Sequence, residues 1–282
     1  MIRICSDSCI DIPKDLIEKN NIAVIPLSVT LGENDFLDGD NVFQEDIFSY
    51  VASTGQLPKT ASRSVEDFKT FFGELLENDN QVIYIGISSQ LSSTYQNAMK
   101  AKEELNNDNL FIVDSKSLSS GIGLLVISAC NYAKQGLDAK SIVQKISKQA
   151  DFNQTSFVVD KLDYLYKGGR CSAIARFGAN LLKIKPRLEL KAGKIENTGK
   201  YMGQFKIIIK KYIDDMLKKH NKFKSDICFI THTCQDEAFV NEMVRFVESK
   251  GIFEKVVQSR AGATISCHCG ENTLGILYLL EE

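Results

Sequence analysis

One pattern limits the fold more than any other: a run of β-branched and aromatic residues, then a polar loop, then a helix signal, repeated along the first half of the chain. Its clearest copy is QVIYIGISSQLSSTYQNA, positions 81 to 98. Val82 to Ile87 has the length and residue types of a strand buried on both faces. Ile2 to Cys5 leads likewise through SDSCIDIP to a helix opened by Pro13. Leu110 to Val113 leads through Asp114-Ser115 to the apolar helix SLSSGIGLLVISACNYAKQG. Strands joined through helices pair in parallel, because a parallel pair needs a long crossover. The fold class expected is α/β with two domains: a doubly wound, mostly parallel sheet in residues 1–154 and a mixed α/β domain in residues 155–282.

Between the first two strand–helix units, Ile22 to Leu31 reads as one strand and GENDFLDGD as an acidic loop. Gln44 to Thr54 reads as a helix, TGQLPKTASR as a loop, and Ser64 with Asp67 three residues on as the start of the next helix. In the second half, Ser156 to Val159 is a strand, and Gly168-Gly169 sets Arg170 on a tight turn. Ile174 to Lys183 has the pattern of a short helix, and RLELKAGKIEN that of a hairpin around Ala192-Gly193. Gln204 to His220 and Asp236 to Lys250 are helices about the strand Ile227 to Thr231, and the closing apolar run is a strand.

Ser88, Ser89, Ser92, Ser93 and Thr94 crowd the turn after Val82–Ile87. Hydroxyl residues cap helices routinely. Five in seven positions exceed what one cap needs, and loops at the carboxyl ends of parallel strands face the ligand crevice, where helix amides favour anions. Both readings, cap and anion site, stand on these residues alone.

Other chemistries find less support. The 282-residue chain is 44% hydrophobic and 25% charged, an ordinary globular composition. No apolar run has the ~18 residues of a membrane span and no signal-peptide pattern opens the chain, so a cytoplasmic location without stable membrane insertion is expected. Eight dispersed cysteines fit reduced thiols. A net charge of −2 argues against nucleic acid as a partner, although residues 161–206 hold eleven Lys and Arg against three acidic residues. Cys267-His268-Cys269 with Cys5 and Cys9 lacks the paired spacing of a structural zinc site, so no metal is expected. No P-loop and no convincing G-x-G-x-x-G indicates a nucleotide cofactor; Gly121-Ile122-Gly123 is too short. A small α/β hydrolase or sugar-phosphate-type enzyme using His268 or Cys267 remains the enzymatic alternative, without a nucleophile-elbow signature.

In order and spacing, DSCIDIP, KTASRSVEDF, GISSQLSSTYQNA, VDS, LDYLYKGGR, IKP with GKI, and the terminal His-Cys-Gly before LGI resemble the DegV family of fatty-acid-binding proteins. The resemblance spans nearly the whole chain. It implies a non-catalytic protein, without a cofactor, that holds a long-chain fatty acid with its tail in an apolar tunnel and its carboxylate between the domains. It implies Thr60, Ser92 and His268 as carboxylate-binding residues, with Ser62, Ser93 and Arg170 as secondary candidates. It also implies a dihydroxyacetone-kinase-like fatty acid kinase as partner, converting the presented carboxylate to an acyl phosphate. The chain departs from the family pattern at Ala61, Ser62 and Arg63, where Ser-Gln-Pro is usual, and at Ser93, where glycine is usual. It departs again at Cys267 and Cys269, where threonines are usual, and at Arg187, usually apolar. The family's basic pair after GKI is blurred into Lys200 and Lys206.

Overall fold

The computed structural model describes residues 1–171 and 184–281. The short helix expected over Ile174 to Lys183 lies outside the described residues. In chain order the elements are β1 (Ile2–Asp7), α1 (Lys14–Lys19), β2 (Ala23–Ile25), β3 (Ser28–Leu31), β4 (Asn34–Leu37), α2 (Gln44–Thr54), β5 (Lys59–Ala61), α3 (Val65–Leu76), β6 (Gln81–Gly86), α4 (Thr94–Leu105), β7 (Leu110–Asp114), α5 (Ser120–Lys134) and α6 (Ala139–Gln149). They continue with β8 (Asn153–Val159), α7 (Asp163–Gly168), β9 (Ile184–Lys191), β10 (Lys194–Met202), α8 (Phe205–Lys218), β11 (Phe223–His232), α9 (Glu237–Glu248), β12 (Val256–Arg260), α10 (Ala263–Cys269) and β13 (Thr273–Leu280).

Strands β2-β1-β6-β7 form the expected all-parallel sheet, and β10-β9-β8-β13-β11-β12 form a mixed one. The period-two alternation of strand side chains sorts residues between layers. In β6, Val82 and Tyr84 meet Phe68, Phe72 and Ala98 of α3 and α4, while Ile83 and Ile85 meet Ile122 and Leu125 of α5. In β13, Leu277 and Leu279 join the core around α5, while Leu274, Ile276 and Tyr278 pack with Ile209, Tyr212 and Val240 of α8 and α9. The result is five layers, helix–sheet–helix–sheet–helix, with α5 buried in the middle. A Cβ on Gly121 would lie 2.2 Å from Ser117 Oγ, and one on Gly123 2.2 Å from Ile12 Cγ2. These glycines therefore serve close helix packing, not phosphate binding.

Two segments depart from the sequence expectations. The strand expected over Ile22 to Leu31 is split, because Pro26 supplies no N–H for a continuous ladder, and its second part pairs with β4 and β5 in a three-stranded antiparallel sheet. The acidic loop therefore contributes β4, and the loop before α3 contributes β5. The Cys267-His268-Cys269 segment carries no clear helical pattern in the sequence, yet it is helical in α10.

Candidate functional site

A cavity of about 390 Å³ opens where β5, the loop after β6, the turn after α7, the β9–β10 hairpin and α10 meet. Its apolar lining includes Leu27, Ile87, Leu118 and Ile265, with Leu165 of α7 and Ile195 of β10. Its polar lining includes Thr60, Ser62, Ser92, Ser93, Asn97 and His268, with Arg170 also bordering it. All six residues singled out from the sequence thus border one cavity.

Thr60 is placed by β5, where it pairs with Val29 of β3. Its Oγ1 lies 2.9 Å from His268 Nε2. His268 Nδ1 is shut away from solvent and has no hydrogen-bond partner among the described residues. A buried N–H without an acceptor costs about 1–3 kcal/mol, so the tautomer that fits carries its proton on Nε2 and donates to Thr60. Thr60 is then left with its own hydroxyl hydrogen to donate into the cavity. Burial, reinforced by the positive charge of Arg170, pulls the His268 pKa down to about 4. At neutral pH the ring is uncharged.

Ser92 Oγ sits 2.7 Å from Thr94 Oγ1 and accepts from Thr94 N, the first amide of α4, while Ser92 also borders the cavity. Ser93 is exposed and its side chain makes no cap hydrogen bond. Ser62 accepts from Asn97 Nδ2 and donates to Arg63 O, which leaves it tied to its own surroundings. Arg63 pairs with Asp67 at 2.9 Å, and its charge is answered there. Arg170 donates to Gly168 O at 2.7 Å and to Leu91 O at 3.4 Å, linking the turn after α7 to the hydroxyl loop. A second link joins Ser88 Oγ to Gly193 O in the hairpin turn, 2.8 Å. Gly168 lies so close to His268 that a Cβ there would come within 2.6 Å of Nδ1.

The helix that carries His268 is fixed from the other end of the chain. Asp11 accepts from Gly262 N, and Asp38 accepts from Ala263 N and Thr264 N. Ser119 and Ser8 donate to the same two carboxylates. Asp7 anchors the hydroxyl loop similarly, accepting from Tyr84 Oη and Ile87 N. Burial raises the pKa of all three carboxyls. The sequence reading did not single out these acids, nor Asn97 and Thr264 on the cavity wall. The signal available for Thr264 was its position four residues before His268, which becomes a shared face once the segment is helical.

Cys267 points elsewhere, packing with Val29, Val42, Ile47 and Phe48, and burial pushes its thiol pKa up. Cys269 borders the cavity, its thiol pKa also raised by burial, to about 12. Neither is a thiolate at neutral pH. Among the described residues no cluster of three or more His, Cys, Asp or Glu side chains is arranged to hold a metal ion.

The family model described as "Uncharacterised protein, DegV family" matches residues 1–281. A DegV domain-containing protein of Caldanaerobacter subterraneus subsp. tengcongensis is 31% identical over 278 residues, with 98% of each chain covered. Among solved structures, that of a Thermus thermophilus DegV family protein, described by its fatty acid binding, matches with a TM-score of 0.91 at 28% identity and 99% coverage of each chain. DegV of Bacillus subtilis, described as a fatty acid binding protein, matches with a TM-score of 0.85 at 26% identity, again over 99% of each chain.

Proposed function

The chain belongs to the DegV family, and from that premise we propose that its cavity holds one long-chain fatty acid, its carboxylate at the hydroxyls of Thr60 and Ser92 with His268 orienting Thr60, its tail along Leu27, Ile87, Leu118 and Ile265. The observation that carries the reading is one cavity lined both by neutral hydroxyl donors, with Thr60 held by His268, and by several large apolar side chains. A carboxylate entering the cavity loses hydration, and hydroxyl donors replace part of it. Thr60, with its oxygen already accepting from His268, offers its hydrogen outward. Arg170 adds positive potential from the rim without displacing these donors. Burial of the tail at ~0.8 kcal/mol per methylene supplies most of the affinity.

In this reading the protein is a carrier with no catalytic base: His268 is uncharged and committed to Thr60, and Cys267 packs away from it. The two domains divide at residue 154, the first contributing the hydroxyl residues and the second α7, the hairpin and α10. The resemblance adds a kinase of the dihydroxyacetone-kinase type as the partner that phosphorylates the presented carboxylate. The cytoplasmic setting rests on the hydropathy of the sequence, and no helix among the described residues is long and apolar enough to cross a membrane. Native mass spectrometry of protein purified from cells tests the proposal: a co-purified acyl chain is expected. Thr60→Ala combined with Ser92→Ala should weaken palmitate binding at least tenfold; unchanged affinity would remove the carboxylate assignment.

A further inference from the structure

Beside the cavity lies a second, much smaller chamber of about 20 Å³, between the start of α5, α10 and strands β8, β11 and β13. The two spaces share three lining residues, Leu118, Ile265 and Cys269. The rear chamber borders several hydroxyl residues, yet each turns its oxygen into the protein. Thr155 Oγ1 is bonded to Ser117 and Asn153, and Thr231 Oγ1 to Ser120. Thr233 and Thr273 donate to backbone carbonyls of Gly270 and Cys269, and Ser156 is engaged with Tyr212. Ser119 donates to Asp11, and the His232 ring nitrogens are engaged by Cys234 O and Gln258 Nε2, so the chamber is bordered by polar groups that are already partnered and by the carbon of Leu118, Phe157, Ile265 and Leu277.

A void of this size has room for one water, but a buried water requires two to four polar partners. With the oxygens already committed, the chamber is an apolar space suited to a hydrocarbon end. Thr60 and His268 border the main cavity and not this one, while Leu118 and Ile265, 6% and 8% exposed, border both.

Resting on the fatty-acid reading, we infer that Leu118, Ile265 and Cys269 form a length-reading partition, and that the rear chamber receives the terminal carbons of acyl chains too long for the main cavity. Ile265 is the adjustable member, because it stands on α10 between the chambers while Leu118 leads into the central helix α5. Removing its outer carbons joins the spaces. Shorter tails never reach the partition and are indifferent to it.

The test is calorimetric titration of delipidated protein with myristate, palmitate, stearate and arachidate. In the wild type, affinity should rise about fourfold per methylene until the tail meets the partition, then level off or fall. Ile265→Ala should carry the rise at least one member further along the series. Ala261→Val on the Ile265→Ala background places methyls in the rear chamber, which Ala261 lines, and should cancel that extension. If Ile265→Ala does not fold, Ile265→Val is read the same way with a smaller shift. An unchanged length profile in the folded variant, an extension that survives Ala261→Val, or a wild-type profile with no levelling would each overturn the inference. Wild-type protein that binds none of the four acids would instead overturn the fatty-acid reading itself.

Discussion

The hydroxyl loop after β6 and helix α10 both supply polar lining of the cavity, and they are held in contrasting ways. The loop has many ties, some local, such as Ser92 to Thr94 and Gln90 N to Ser88 Oγ, and some distant, to Asp7, Gly193 and Arg170. Helix α10 is tied to residues more than 200 positions away, namely Asp11, Asp38 and Thr60. Its first amides rest on two buried carboxylates, whereas the loop spreads its support over several partners. The site is thus a partly local motif facing an imported one.

The largest expected effect lies on the imported side. Asp38→Ala leaves Ala263 N, Thr264 N and Ser8 Oγ without their acceptor, and buried unpaired groups cost about 1–3 kcal/mol each. Urea unfolding should show a loss of about 3 kcal/mol or more, together with loss of palmitate binding; near-wild-type stability would show that α10 holds itself. Next comes Gly168→Ala, whose Cβ presses on His268. Overpacking of this kind costs about 1–3 kcal/mol, and palmitate affinity should fall about tenfold. An unaltered affinity would mean that His268 is not positioned by the turn after α7. On the local side, Ser92→Ala removes the acceptor of the first amide of α4, a hydrogen bond worth about 1 kcal/mol net. A stability change as large as that of Asp38→Ala would erase the contrast.

The smallest effect concerns protonation. The folded pKa of His268, about 4, lies below the unfolded value of ~6.5. Protonation thus favours the unfolded chain: the His268 contribution to stability is complete above about pH 6.5 and is lost as pH falls toward 4. In the ligand-free protein its ring resonances should stay constant from about pH 8 to about pH 5. A titration midpoint near 6.5 would show a ring exposed to solvent, not shut between Thr60 and Gly168.

The same contrast explains what could be read from the sequence. Parallel pairing of β1, β6 and β7, the apolar character of α5, the Ala192-Gly193 hairpin and the crowding of hydroxyls after Ile87 are all written in short windows. The break at Pro26 was equally local, but the three-stranded sheet it permits depends on β5 returning beside β3, which no window contains. Helix α10 was the larger gap. Seven residues flanked by glycine, with cysteines at alternate positions, carry little helical signal; the helix forms because Asp11 and Asp38 meet its first amides. Thr60, Ser92 and His268 were grouped only through the family resemblance, and all three border one cavity. Asn97 and Thr264 were missed because their relation to that cavity appears only once α4 and α10 are in place.

The central claim, a fatty acid with its carboxylate among Thr60, Ser92 and His268, is tested most directly by a crystal structure of the protein saturated with palmitate. The account predicts density for a carboxylate within hydrogen-bond distance of Thr60 Oγ1 and Ser92 Oγ, continuing as an unbranched tail past Leu27 and Ile87 toward Ile265. A saturated crystal with that cavity empty of lipid, or with the carboxylate at another surface, would contradict it.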